Sequence, residues 1–203
     1  PPIAHWNLAG LAQALLPLLS ENEDEAVEKA TAAINTFPEY FKASYTAGLG
    51  RKLGLSTVDA SDEALGSDLL ERMARNKADF TLTFRYLSAL SQTQNDGDKH
   101  VRALFEEPAE FDQWATDWRV RLVQDGVADS ERQDQMRKAN PLYIPRNHLV
   151  EAAIRAAEDS DDLAPFNHLV TVLTSPYQQQ PGAKAYAEPP RPEQVVQQTF
   201  CGT

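Results

Sequence analysis

The chain carries a single thiol, Cys201, third from the end in QTFCGT at 198–203. One cysteine cannot close a disulfide within its own chain. A pairing sulfur would have to lie in another chain or in a segment not present here. A thiol on a chain end is reachable by oxidants and reductases, but from the residues alone the favoured reading of Cys201 is an idle terminal thiol. The four histidines are His5, His100, His148 and His168. No two stand at the H-x-x-x-H spacing that places both rings on one helix face for zinc, and packed or surface roles are expected for them. GLGRKLG at 48–54 has glycines at 48, 50 and 54. That is not the G-x-G-x-x-G spacing of a phosphate-cradling turn, so it reads as a helix terminus. DGDKH at 96–100 lacks the alternating oxygen ligands of a calcium loop. SDD at 160–162 is most simply a helix cap. Arg146-Asn147 could cap the next helix or bind an anion, and the cap is favoured. No G-x-S-x-G occurs, and no serine, histidine and aspartate set can be argued. The residues by themselves define no catalytic centre.

The elements that would position these groups are helical throughout. Trp6, Leu8, Leu11, Leu15, Leu18 and Leu19 recur at helical spacing, predicting a first amphipathic helix over 6–19, with Pro17 near its end, where a missing donor costs less. SENED at 20–24 supplies caps and acids for the next helix start. Val27, Ala30, Ile34 and Phe37 would form that helix's inner face. Pro38 breaks or kinks the chain before a helix through Tyr40, Phe41, Tyr45 and Leu49, which Gly54 can end. Further helices are expected at 61–75, starting at Ser61, at 79–90, with Phe80, Phe84, Leu87 and Leu90 in register, and at 108–126. The last opens on proline, closes on glycine and points Phe111, Trp114, Trp118 and Leu122 inward. SERQDQMRKAN at 130–140 is polar on most faces and reads as a solvated helix. NPLYIPRN at 140–147 is a connector, followed by helices at 148–158 and 163–176. NDGD at 95–98 is a turn. Five of the 13 prolines fall after residue 175, so 176–203 reads as an extended Pro/Gln-rich tail laid over the surface. The aromatic stripes read as core packing. The expected fold class is all-α, a multi-helix bundle.

The chain has 203 residues, with 19 lysines and arginines against 30 acids, a net charge of −11. That balance opposes nucleic acid as the main partner, which needs clustered cations, and opposes an anionic membrane surface. No run of eighteen apolar residues occurs, and the start lacks a signal-peptide pattern. PPIAHWNLAG opens without methionine on a helix-like pattern. That suggests a cut inside a longer protein or a processed product. A cytoplasmic, bacterial protein is expected.

Several stretches together carry a family resemblance. PPIAHWNLAGLAQALLPLL at 1–19, NPLYIPRNHLVEAAI at 140–154, APFNHLVTVLTSPY at 164–177 and the terminal TFCGT resemble the selenoprotein O family. The resemblance runs the length of the chain, but the chain looks like only the C-terminal part of such a protein. Gly10 stands where relatives often carry a larger residue, which loosens that helix slightly. The resemblance implies a kinase-like fold and a protein adenylyltransferase that moves AMP from ATP to Ser, Thr or Tyr hydroxyls of proteins, with Mg or Mn. It implies that residues 1–175 form the helical portion of the C-lobe and 176–203 the tail. The ATP loop, the ion-pair lysine and the catalytic and metal-binding aspartates would lie upstream, so no catalytic, cofactor-binding or metal residue maps onto this chain. The isolated chain is expected to be inactive. The third-from-last position is a selenocysteine in animal members and a cysteine in many bacterial ones. By that resemblance Cys201 is a redox residue, able to form a disulfide with a cysteine near the upstream active-site segment.

The partners so implied are the missing N-terminal catalytic part and the protein substrates, with homodimerisation through an exposed docking surface as a further possibility. The rival reading is a stand-alone helical protein-interaction module. A small helical enzyme in its own right is disfavoured, since no acid, base or metal set is present.

Overall fold

Residues at helix ends set most of the architecture. Asn22 accepts the Glu25 amide at 3.0 Å and opens a helix whose first turn holds Glu23, Asp24 and Glu25, acids that suit the positive end of the helix dipole. Asp79 accepts the Leu82 amide at 2.8 Å and opens another. At 59–62 a reciprocal capping box forms between Asp59 and Asp62. That helix therefore starts one residue before the expected Ser61, because Asp59 is the cap. Pro108 occupies the first turn of a long helix and Gly126, at φ 73°, closes it, as the sequence leads one to expect.

The structure, a computed structural model, describes residues 1–198, and Cys201 lies outside the described residues. In chain order the helices are α1 (Pro2–Leu19), α2 (Glu23–Asn35), α3 (Phe37–Leu53), α4 (Ala60–Arg75), α5 (Phe80–Leu87), α6 (Asp98–Arg102), α7 (Pro108–Asp125), α8 (Asp129–Ala139), α9 (Asn147–Ser160), α10 (Ala164–Leu173) and α11 (Lys184–Ala187). A 3₁₀ turn follows at Pro192–Gln194. No strand occurs among the described residues, and the all-α expectation holds. The chain divides into two units, Pro1–Leu49 and Gly50–Thr203.

In the first unit α1 packs against α2. Ala26 and Ala30 are the buried residues of α2, and Lys29 Nζ reaches the Leu19 carbonyl at the end of α1. Val27, expected on the inner face, is 46% exposed. The α1 helix forms as expected, but none of its residues is buried. Along α3, His5, Phe37, Phe41 and Tyr45 make a file of ring contacts with centroids 5.7–6.1 Å apart.

The second unit is built around α7. Phe111, Trp114, Ala115, Trp118 and Leu122 are at most 1% exposed, and burying one such side chain contributes about 2–3 kcal/mol. Each buried indole nitrogen has an acceptor, as burial demands: Trp114 donates to Leu65 O of α4 and Trp118 to Leu53 O of α3, both at 2.9 Å. Guanidiniums on the flanks of α7 fix its neighbours. Arg119 Nη2 donates to both carboxylate oxygens of Asp98 of α6, and Arg121 is bidentate to Asp62 of α4 through Nε and Nη2. In α5, Phe84 and Leu87, with Leu90 beyond its end, are buried as expected, whereas Phe80 is 52% exposed and its ring lies tilted at 53° against Phe84, centroids 4.9 Å apart.

The solvated reading of α8 needs correction. Arg132 and Met136 are buried, and so is Asn140, which caps the helix. The Arg132 guanidinium lies 5.4 Å from the Trp118 ring and donates to Leu90 O and Asp129 Oδ1. A charged side chain is tolerable there because it is both stacked and hydrogen-bonded. After Thr174 the chain is not uniformly extended, since α11 and the 3₁₀ turn interrupt it. It lies across the 140–147 connector. Pro176 O accepts the Leu142 and Tyr143 amides at 2.8 and 3.1 Å, and Ala183 is buried with Tyr143 and Val172.

Candidate functional site

The C-terminal end of α8 is a densely bonded polar node of the second unit. Three groups there need donors: the carbonyls of Arg137, Ala139 and Asn140. Arg85 Nη1, from the last turn of α5, donates to Arg137 O at 3.2 Å and Asn140 O at 3.0 Å. Lys52 Nζ, from the last turn of α3, reaches Ala139 O and Asn140 Oδ1, each at 3.3 Å. Cations suit this end of a helix, where unpaired carbonyls and the macrodipole are both negative. Asn140 returns bonds from Nδ2 to Lys52 O at 2.9 Å and Ser88 Oγ at 3.2 Å. Burial pushes the Lys52 ammonium below its ordinary pKa. Burial and the neighbouring Arg137 charge do the same to Arg85.

Beside this node opens a cleft of about 520 Å³. Its walls come from α5, the end of α8, the connector and the 179–188 segment, with Leu82, Leu142 and Ala187 among the apolar lining residues and Arg85, Arg137, Lys184 and Glu188 the charged ones. Arg137 is paired with Asp134, and Lys184 lies 3.8 Å from Glu188. Among the described residues Arg85 has no carboxylate partner, and its Nε and Nη2 have no protein acceptor. Tyr143 also lines the cleft and is buried. Its hydroxyl oxygen accepts the Gln180 amide at 3.1 Å. Nothing in the sequence marked this site. Its only local signal is a basic residue at the end of α5; the carbonyls that hold Arg85 lie more than fifty positions away.

The candidates from the sequence are dispersed. GLGRKLG ends α3, with Gly54 at φ 78°, which bears out the helix-terminus reading. The SDD run is not the side-chain cap of α10: Ser160 ends α9, Asp161 is its C-cap at φ 52° and Leu163 is the N-cap of α10, while Asp162 Oδ1 accepts the Ala164 amide at 2.9 Å from one position earlier. Arg146 is not a cap by its side chain. Its guanidinium binds Asp79 at 2.7 and 3.2 Å and Ala187 O at 3.0 Å, tying the connector to the start of α5 and to the end of α11. Burial opposes ionisation of Asp79, but the Arg146 guanidinium and the Leu82 amide outweigh it and hold the carboxyl below the usual carboxylate range. His5 stacks on Phe37, His100 tilts against Tyr86 and His168 stacks on Tyr186 at 4.9 Å. His148 sits beside a smaller groove, its pKa lowered by burial and by Arg146. No group of three or more His, Cys, Asp or Glu able to hold a metal ion occurs among the described residues. No helix among them is long and apolar enough to cross a membrane.

The first unit offers a different kind of surface. Ile3, Trp6 and Leu18 of α1 are 73–81% exposed, and Leu8, Leu11, Leu15 and Leu19 are exposed as well. Tyr40, Phe41 and Tyr45 of α3 add aromatic surface in the same unit. These residues make a large exposed apolar surface for one small unit.

Comparison with known proteins supplies a family. The model of the family described as protein adenylyltransferase SelO matches residues 1–174. A protein nucleotidyltransferase YdiU of Rhodopseudomonas palustris is 53% identical over 205 positions, and one from Bradyrhizobium diazoefficiens is 52% identical over 203. A third, from Nitrobacter winogradskyi, is 48% identical over 203 positions. Each match covers 100% of this chain but only 40–41% of the relative, so the chain spans about two fifths of the length of these bacterial proteins. With a helical fold and a match across most of its residues, the chain belongs to the protein adenylyltransferase SelO family.

Proposed function

We propose that this chain is the helical C-terminal portion of a protein adenylyltransferase, which transfers AMP from ATP to Ser, Thr or Tyr hydroxyls of protein substrates. The observation that carries the reading is the family match over residues 1–174 in a chain that spans about 41% of its relatives. Nucleotidyl transfer needs metal ligands and phosphate donors held in one place. The described residues include no group of three or more His, Cys, Asp or Glu that could hold the metal, and no chemical step is assigned to them. ATP and Mg or Mn bind to the part of the protein outside this chain, and the chain alone is inactive. Its role is to buttress that part. The exposed apolar residues of α1 supply the docking surface, so the missing catalytic part is the primary partner.

Cys201 is proposed as a redox residue, its thiol pairing with a cysteine of the missing part and so tying the tail to the active half. The test of the function is transfer of labelled AMP to protein by the intact protein with Mg or Mn. Transfer by the intact protein and none by this chain is expected. An intact protein that transfers no AMP under either metal contradicts the reading. Cys201 is tested separately: a mobility shift of the oxidised intact protein on a non-reducing gel should vanish in Cys201→Ser, and a shift that persists assigns the disulfide elsewhere.

A further inference from the structure

We propose that the cleft between α5, the end of α8, the connector and the 179–188 segment binds a small organic oxyanion, a phosphate ester or carboxylate on an apolar body, with Arg85 as its principal contact. The inference rests on the geometry of the second unit and is independent of the function proposed above.

The charge arrangement selects the ligand. Of the three cations around the cleft, Arg137 is paired with Asp134, and Lys184 lies 3.8 Å from Glu188, both in exposed pairs. Among the described residues Arg85 alone of the three has no carboxylate partner, in a chain with 30 acids and a net charge of −11. A half-buried guanidinium without a carboxylate is costly unless its donors are used. Only Nη1 is used, on the carbonyls of Arg137 and Asn140. These two bonds fix the plane of the guanidinium, and Nε and Nη2 remain as an adjacent donor pair of the kind that clasps a carboxylate or phosphate in two parallel bonds. Tyr143 adds a third donor. Its oxygen already accepts the Gln180 amide, which leaves the phenolic proton for a ligand.

Shape selects the rest. At about 520 Å³ the cleft is far larger than a bare phosphate ion needs and lies in the range of small-molecule sites. Leu82, Leu142 and Ala187 supply apolar wall, and Tyr86 supplies a ring. An anion with an aromatic or aliphatic body uses both halves of this lining; inorganic phosphate uses only one.

The experiment is a titration of this chain with phenyl phosphate, benzoate and inorganic phosphate, read by NMR at the Arg85 Nε–H resonance. Saturable shifts with phenyl phosphate are expected, with inorganic phosphate at least severalfold weaker. Saturation by benzoate as well assigns oxyanions generally, and its absence restricts the site to phosphate esters. Loss of the guanidinium in Arg85→Gln should weaken phenyl phosphate about tenfold or more, as for a charge-assisted pair. Because Arg85 also closes α8, Ala89→Glu provides a variant that leaves those bonds intact. Ala89 is exposed on the lining, and the added carboxylate should weaken binding severalfold. Glu188→Gln should strengthen it. The proposal is overturned if phenyl phosphate causes no saturable shift at Arg85, if inorganic phosphate binds equally well, or if Ala89→Glu leaves the affinity unchanged.

Discussion

Replacing Gly54 by alanine tests how the end of α3 is packed on α8, and Gly126→Ala provides the control. Both glycines sit in the left-handed region, Gly54 at φ 78° and Gly126 at φ 73°, so an alanine at either position carries the same backbone strain, about 1–2 kcal/mol. They differ in what a Cβ would meet. At Gly126 nothing lies within 4 Å. At Gly54 the new atom falls 2.6 Å from Met136 Sδ, 2.8 Å from Arg132 Cγ and 2.9 Å from Met136 Cγ. These neighbours have little room to retreat. Met136 is fully buried, and Arg132 is held by Leu90 O, by Asp129 and by the Trp118 ring. Forcing a methyl into such packing adds about 1–3 kcal/mol. Gly54→Ala should therefore lose about 2–5 kcal/mol against about 1–2 kcal/mol for Gly126→Ala. Urea unfolding followed by tryptophan fluorescence reads the difference as a lower midpoint at unchanged slope, since Trp114 and Trp118 lie in the unit being perturbed. Equal losses for the two variants would refute the packing of α3 on α8 described above.

Asp79 and Arg146 predict a pH dependence. The Asp79 carboxyl is held below its ordinary pKa in the folded chain, so its contribution to stability is present above the unfolded carboxylate value of about 4 and is lost as pH falls through the folded value. Asp79→Asn keeps an oxygen for the Leu82 amide but removes the charge, and should cost about 1–3 kcal/mol at pH 7. The gap from the wild-type chain should close under acid, and a gap independent of pH would refute the pairing. Trp6→Ser should leave the urea midpoint of this chain unchanged, because the ring is 73% exposed. In the intact protein it should lower the unfolding midpoint, and an unaffected intact protein would remove α1 as a docking surface.

Local chemistry made much of this fold legible. Phe111, Trp114, Trp118 and Leu122 fall on one stripe at helical spacing, and Pro108 and Gly126 bracket their helix, so α7 and its buried face could be read directly. What escaped was non-local. Arg132 sits in a run of polar residues, and its burial depends on Trp118 and on a carbonyl 42 residues away. Arg146 precedes a helix and reads as a cap, yet its partner is Asp79, 67 residues distant. In α1 the apolar spacing revealed a helix but not whether its face is covered, because periodicity shows a preference for a surface and not the surface itself. The Arg85 cleft was invisible for a related reason: its geometry is set by backbone carbonyls, which every sequence has.

The most direct test of the supporting role is a calorimetric titration of this chain with ATP, with and without magnesium, repeated on Ala89→Glu to identify any binding that belongs to the cleft. No magnesium-dependent binding is expected, because the proposed function puts the groups that hold nucleotide and metal in the part of the protein outside these 203 residues. Tight ATP binding that appears only with magnesium would contradict that placement.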